Sequence, residues 1–214
     1  MNAGGSAKDS MNKWTGIALW LVAGTMAYNV IEAVVALWSG TRAESVALLG
    51  FGFDSIIECA AAGVLLWRLG VEARGAGREH IEATERRVHR FVGATFIALT
   101  VYVVAQAAWT LINQDAPEES PIGIVLAAAS LVIMPLVSWA KIVAAKRIGS
   151  RALMAEAKET LACSYLSLTL LLGLVANAAA GWWWADPAAA LLMVPWLVKE
   201  GVEGLRGEDS DGGD

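Results

Sequence analysis

Apolar residues form six long blocks separated by shorter polar segments. The blocks cover residues 14–38, 45–67, 91–112, 121–143, 152–180 and 187–203. A helix of about 20 apolar residues crosses the roughly 30 Å hydrocarbon core of a bilayer. The sixth block is the shortest. The pattern predicts an all-α integral membrane protein, a bundle of six transmembrane helices.

Polar segments frame these blocks. Residues 1–13 are polar and contain glycine, and residues 204–214 are acidic and glycine-rich. Such compositions bury too little apolar surface to order themselves, so both ends are predicted to be disordered. We therefore expect one six-span transmembrane domain over residues 14–203, with no soluble domain at either end.

The sequence predicts where two of the helices begin. Ser120 followed by Pro121 is typical of an N-cap and a first helical proline, and Asp186 followed by Pro187 repeats the pattern before the sixth block. We expect each pair to begin its own helix.

Basic residues lie on alternate connections. The segments after the second and fourth blocks hold most of them: Arg68, Arg74, Arg78, Arg86, Arg87, Arg90, Lys141, Lys146, Arg147 and Arg151. The positive-inside rule places these segments in the cytoplasm, and both termini follow them. A bacterial inner or plasma membrane is the expected location. The arginines are expected to set topology and to meet anionic membrane lipid, and no nucleic-acid partner is expected.

Composition agrees with a membrane protein. The chain is 57% hydrophobic, above the roughly 45–50% of soluble domains. Cys59 and Cys163 both lie inside blocks, so they do not form a disulfide framework. The sequence has no glycine-rich phosphate loop, nucleophile motif or zinc-protease helix.

Acidic residues inside the blocks are the candidate chemistry. Asp54 and Glu58 are four residues apart, and Glu159 and Cys163 repeat that spacing. Residues at this spacing share one helix face, and charged groups in hydrocarbon are costly and usually functional. With a rise of 1.5 Å per residue, all four fall near the middle of the bilayer. Two facing helices would then hold a divalent metal ion there.

Structural alternatives stay open for these residues. Asp54 and Glu58 could be a buried pair bonded to neighbouring helices. Glu159 follows Lys158 and could lie in cytoplasmic water. Cys163 could be a small apolar filler, as buried cysteines often are.

Weaker candidates lie elsewhere. Asn29 and Glu32 share a face of the first block and could form a proton relay or a polar packing contact. His80 and His89 lie in the basic segment among glutamates and could form a second metal site, although a solvated charged segment is the commoner meaning.

Longer motifs resemble a known family. Tyr28-Asn29-Val30-Ile31-Glu32, the run from Ser45 to Glu58 and the stretch from Gly181 to Asp186 resemble the cation diffusion facilitators. The run from Gly50 to Arg68 is closest to the small branch that includes vesicular zinc-efflux proteins. The resemblance implies a homodimeric six-span metal–proton antiporter. In that family the second span often carries Asp-x-x-x-Asp or His-x-x-x-Asp, and the fifth carries His-x-x-x-Asp.

The resemblance implies which residues are metal ligands, and the sequence differs from the family pattern in two respects. Asp54 and Glu58 stand at the second-span positions, and Glu159 and Cys163 replace the fifth-span histidine and aspartate. Cysteine favours zinc or cadmium over magnesium or calcium, while the carboxylates leave Fe²⁺ and Mn²⁺ open, so Zn²⁺ ranks first. The family's C-terminal metal-sensing domain has no counterpart in this sequence, so a homodimer would have to form through the spans.

The expected function is export of a divalent cation, zinc first, in exchange for protons. The protein would then be a secondary transporter and not an enzyme. An intramembrane metal-dependent enzyme and a non-transporting membrane scaffold or accessory subunit are the alternatives.

Overall fold

Six α-helices make up the computed structural model, which describes residues 3–73 and 78–206. The helices are α1 (Ala3–Ala43), α2 (Val46–Ala73), α3 (Arg78–Asn113), α4 (Pro121–Ile148), α5 (Arg151–Ala180) and α6 (Ala185–Arg206). Strands are absent from these two ranges. Five of the helices, α1 to α5, are long and apolar enough to cross a membrane. The predicted all-α membrane fold with six helices is confirmed, and α6 corresponds to the short sixth block.

The helices extend beyond the predicted spans. α1 already begins at Ala3, within the segment predicted to be a disordered tail, and α6 continues to Arg206. Residues 207–214, most of the predicted acidic tail, lie outside the described residues.

The outer surface of the bundle is apolar. Trp20, Ile112 and Val125 are 82%, 79% and 69% exposed, whereas Glu32 and Lys141 are fully buried. Contiguous apolar surface is rare on soluble proteins but is what lipid tails contact. The chain is an integral membrane protein, and polar side chains such as Glu32, Asp54 and Lys141 lie in its interior.

Helix pairing brings α2 and α5 into the interior. α1 packs along α2, α4 along α5 and α3 along α6, while α1 also packs on α4 and α2 on α5. Gly93 of α3 permits a close approach to α6, because a Cβ there would lie 2.6 Å from the Leu205 backbone nitrogen. The two helices with acidic candidates therefore face each other.

The predicted start of α4 is confirmed. Ser120 is the N-cap, its Oγ accepts a hydrogen bond from the Gly123 N–H at 3.1 Å, and Pro121 is the first helical residue. At the other end of α4, Gly149 takes a left-handed conformation with φ of 68°, and Ser150 then caps α5. This short turn forces α4 and α5 to be antiparallel neighbours.

The predicted role of Asp186 is wrong. α6 begins at Ala185, two residues before the predicted first helical residue Pro187. The Asp186 carboxylate accepts hydrogen bonds from the Val46 and Ala47 N–H groups at 2.9 and 3.4 Å. It also accepts one from the Ser45 hydroxyl. Asp186 therefore caps α2, because packing places the first turn of α6 beside the unpaired N–H groups that begin α2.

Three connections meet at this end of the bundle, which we call the Asp186 end: residues 44–45, 114–120 and 181–184. The Glu118 N–H donates to the Ala43 carbonyl at 2.8 Å, and the Asn177 amide donates to the Pro117 carbonyl at 3.0 Å. Hydrogen bonds thus join several helices here. The opposite end, which we call the Gly149 end, carries the turn between α4 and α5.

Candidate metal site

Two carboxylates of α2 point into the bundle. Asp54 is 2% exposed, and its Oδ2 is buried without a hydrogen-bond partner. Glu58, one turn later, is half-buried, and its Oε2 accepts a hydrogen bond from the Asn29 amide of α1 at 2.8 Å. A buried carboxylate oxygen without a donor is costly, so Asp54 presents a free ligand atom.

A thiol from α5 completes the cluster. Cys163 is 1% exposed, and its Sγ lies with one carboxylate oxygen each of Asp54 and Glu58 in a group whose atoms are all within 4.8 Å of one another. Ligands bound to a tetrahedral zinc ion at about 2.0–2.3 Å lie roughly 3.3–3.8 Å apart. Shifts of about one ångström would close the three atoms on such an ion.

Glu159 lies one turn before Cys163 on α5. It is half-buried and does not belong to the three-residue group. It is nevertheless near enough to interact electrostatically with Asp54 and Glu58. The structure therefore brings together three of the four predicted ligands, and a ligand role for Glu159 remains a prediction.

Asn29 and Glu32, the two candidate polar residues of α1, lie beside the cluster and contact different partners. Asn29 holds Glu58, and its Oδ1 is buried without a partner. Glu32 is fully buried; it accepts a hydrogen bond from the Ser55 hydroxyl at 2.9 Å and another from the Ser130 hydroxyl. Ser55 follows Asp54 directly, so Glu32 links α1 and α4 to the ligand-bearing turn of α2.

This network continues to Tyr28. Its hydroxyl lies 2.8 Å from the Ser130 Oγ. Hydroxyl groups can both donate and accept hydrogen bonds, so the series from Tyr28 through Ser130 to Glu32 has the composition of a proton relay. That role of Glu32 remains a prediction.

Lys141 is the polar residue whose position the sequence analysis mistook. It was counted with the cytoplasmic basic segment, yet its side chain is fully buried. Its ammonium donates to Glu156 Oε1 at 2.6 Å and to Thr160 Oγ1 at 2.9 Å, both on α5. One signal was available: Lys141 lies inside the fourth apolar block, and such a cation needs a partner.

His80 and His89 fall within α3. Their side chains lie outside the part of the chain whose side chains are described. The second metal site stays a prediction.

Comparison with known proteins finds a matching family and a similar transporter. Residues 21–206 match the cation efflux transmembrane domain family. The chain is also similar to the uncharacterized transporter sll1263 of Synechocystis sp., with 27% identity over 150 residues, which cover 69% of this chain and 48% of the relative. The chain thus spans about half the length of this curated relative. Both comparisons indicate a transporter and not an enzyme.

Proposed function

The chain belongs to the cation efflux family, as its resemblance to the cation diffusion facilitators implied, and we propose that it exports a divalent cation, zinc first, in exchange for protons. The observation that carries the proposal is the meeting of Asp54, Glu58 and Cys163 within 4.8 Å inside an apolar bundle. Such a group of ligands has no ordinary structural purpose in hydrocarbon.

The ligand set favours a soft or borderline cation. A thiolate selects for zinc, cadmium and similar ions, whereas magnesium and calcium prefer oxygen ligands alone. Two carboxylates add the charge that offsets a divalent ion. Glu159, one turn before Cys163 on α5, is the proposed fourth ligand, which would complete the tetrahedral geometry that zinc prefers.

The closeness of the three acidic groups also supports exchange of the cation for protons. Metal binding requires deprotonated ligands, and three adjacent acidic groups cannot all remain charged in a low-dielectric site without the ion. A cation arriving from one side therefore releases protons, and protons replace the cation when it leaves. Rocking of helices about a site at the midplane would open it to each side in turn.

Direction depends on orientation in the membrane. The basic segments adjoin the Gly149 end, and the positive-inside rule then places that end and both termini in the cytoplasm. The Asp186 end would face outward. A C-terminal reporter that is active only outside the cytoplasm would contradict this orientation.

Flux measurement in proteoliposomes tests the function. The purified chain should move Zn²⁺ only when protons can move the other way, and an imposed pH gradient should drive Zn²⁺ against its concentration. Asp54→Asn should abolish both signals in the same preparation. A scaffold would give no flux in either sample, and flux that ignores the pH gradient would contradict antiport.

A homodimer formed through the spans is also part of the proposal. Mass measurement in lipid nanodiscs tests it. A monomer with full transport activity would refute the dimer and leave the metal site standing.

A further inference from the structure

α4 contains none of the candidate ligands, yet it carries a fully buried lysine. The Lys141 ammonium is held by the Glu156 carboxylate at 2.6 Å and by the Thr160 hydroxyl at 2.9 Å. Glu156 is itself only 9% exposed. The ion pair therefore lies inside the bundle and is protected from the screening that weakens surface pairs.

Stability alone accounts poorly for this pair. Removing two charges from water is expensive, and replacing a buried ion pair by apolar residues is often neutral or stabilising. The second oxygen of Glu156, Oε2, is buried without a hydrogen-bond partner, so part of the cost is not offset. Such a pair is better explained by a requirement for one particular arrangement of the helices.

Glu156 and Thr160, which accept the hydrogen bonds of Lys141, precede Cys163 on α5. Thr160 is three residues before Cys163, about 4.5 Å along the helix axis. A third bond runs from the Ser138 hydroxyl to the Ala157 carbonyl at 2.7 Å. Together these bonds set both the rotation and the height of α5 against α4.

The other ligand helix is tied to α4 as well. The Ser130 hydroxyl of α4 bonds to Glu32, and Glu32 accepts from Ser55, the neighbour of Asp54. Polar contacts thus join α4 to the α2 turn that carries Asp54 and to the α5 turn that precedes Cys163. The separation between thiol and carboxylates depends on both connections.

We propose that Lys141 is a positioning residue of the metal site, which holds α5 at the rotation that turns Cys163 towards Asp54 and Glu58. The inference rests on the proposed function, because it concerns the geometry of the same site. The hydrogen bonds of Lys141 go to Glu156 and Thr160 and not to the three candidate ligands, so its positioning role acts through those two residues.

Cobalt binding gives a direct readout, because a Co²⁺–thiolate bond produces a charge-transfer absorption band that carboxylate ligands do not. The purified protein in nanodiscs should show this band, and Cys163→Ser should remove it. Lys141→Met should weaken the band per bound cobalt and lower Cd²⁺ affinity by about 10–100-fold, the loss typical of residues that orient metal ligands. Mn²⁺ affinity, which depends on the carboxylates, should fall much less.

Two further variants separate positioning from folding. The double variant Lys141→Met/Glu156→Leu leaves no unpaired buried charge, so it should fold as well as the native chain and still show the weakened band. The charge swap Lys141→Glu/Glu156→Lys rebuilds the ion pair and should recover it. Lys199→Met is the matched control, since Lys199 is 53% exposed and its ion pairs are with Glu200 and Glu203, outside the metal cluster.

The outcomes are distinct. A folded double variant with native band intensity and a native Cd²⁺ to Mn²⁺ affinity ratio overturns the positioning role while the metal site stands. A folded charge swap without the band overturns the requirement for the ion pair. Absence of the band in the unmodified protein overturns the thiol-containing site itself, and the inference falls with it.

Discussion

Asp54 and Asp186 are both buried aspartates of this membrane protein, with exposures of 2% and 0%, but their surroundings are opposite. Asp186 accepts hydrogen bonds from a hydroxyl and two backbone N–H groups at the start of α2. Asp54 has an oxygen without any partner, next to a second carboxylate and a thiol.

The contrast separates structural from functional acids. A carboxylate whose oxygens are satisfied by fixed donors compensates its own burial and binds two helices together. A carboxylate left without donors destabilises the fold unless something else binds it. The unsatisfied oxygen of Asp54, together with the neighbouring Glu58 and Cys163, therefore marks the candidate site, although both aspartates are acids in apolar surroundings.

Asp54→Asn gives the largest expected effect on function. Loss of a ligand should reduce Zn²⁺ transport by at least about 100-fold, more than a change in an outer-shell partner usually costs. Thermal unfolding in detergent should be unchanged or shifted upward, because the variant removes a poorly compensated buried charge. Native transport by folded Asp54→Asn would show that the metal binds elsewhere.

Asp186→Ala should lower stability and leave metal binding intact, the reverse of the effect expected for Asp54→Asn. It leaves the Ser45 hydroxyl and the Val46 and Ala47 N–H groups without their acceptor, so the free energy of unfolding should fall by about 2–4 kcal/mol. Zn²⁺ affinity of the folded fraction should stay near the native value. Asp115→Ala, at an exposed position, is the control, and equal stability of the two variants would remove the structural role of Asp186.

Cys163→Ser should alter selectivity more than activity. A hydroxyl is a poor ligand for soft ions but is tolerated by harder ones, so the ratio of Zn²⁺ to Mn²⁺ affinity should fall about tenfold, or roughly 1.4 kcal/mol. Competition binding measures the ratio. Cys59→Ser is the matched control, since Cys59 is a half-buried free cysteine outside the cluster; identical ratios in both variants would exclude Cys163 as a ligand.

Asn29→Leu is the mildest of these tests. It removes the 2.8 Å bond that orients Glu58, and Zn²⁺ affinity should drop about fivefold, near the roughly 1 kcal/mol of one hydrogen bond. Asn177→Leu removes a comparable amide bond at the Asp186 end. Asn177→Leu should lower the unfolding temperature with little change in Zn²⁺ affinity. If instead Asn177→Leu weakened Zn²⁺ binding and Asn29→Leu lowered the unfolding temperature, the distinction between the metal site and the Asp186 end would be wrong.

The sequence by itself determined the local features. Block length predicted six helices, the Ser120-Pro121 pair predicted the start of α4, and the spacing of Asp54 and Glu58 placed them on one face. These features depend on chain geometry within a few residues, and a bilayer narrows the choice to helices because every backbone group must be satisfied within the span.

Tertiary structure alone decided which polar groups meet. It placed Asp186 on the start of α2, although the pattern with Pro187 predicted a cap for its own helix. It turned Lys141 inward to Glu156, 15 residues further along the chain, and it drew Cys163 but not Glu159 into the group with Asp54 and Glu58. Each outcome depends on the rotation and depth at which one helix packs on another, and residues on separate helices acquire such a relation only when the bundle forms.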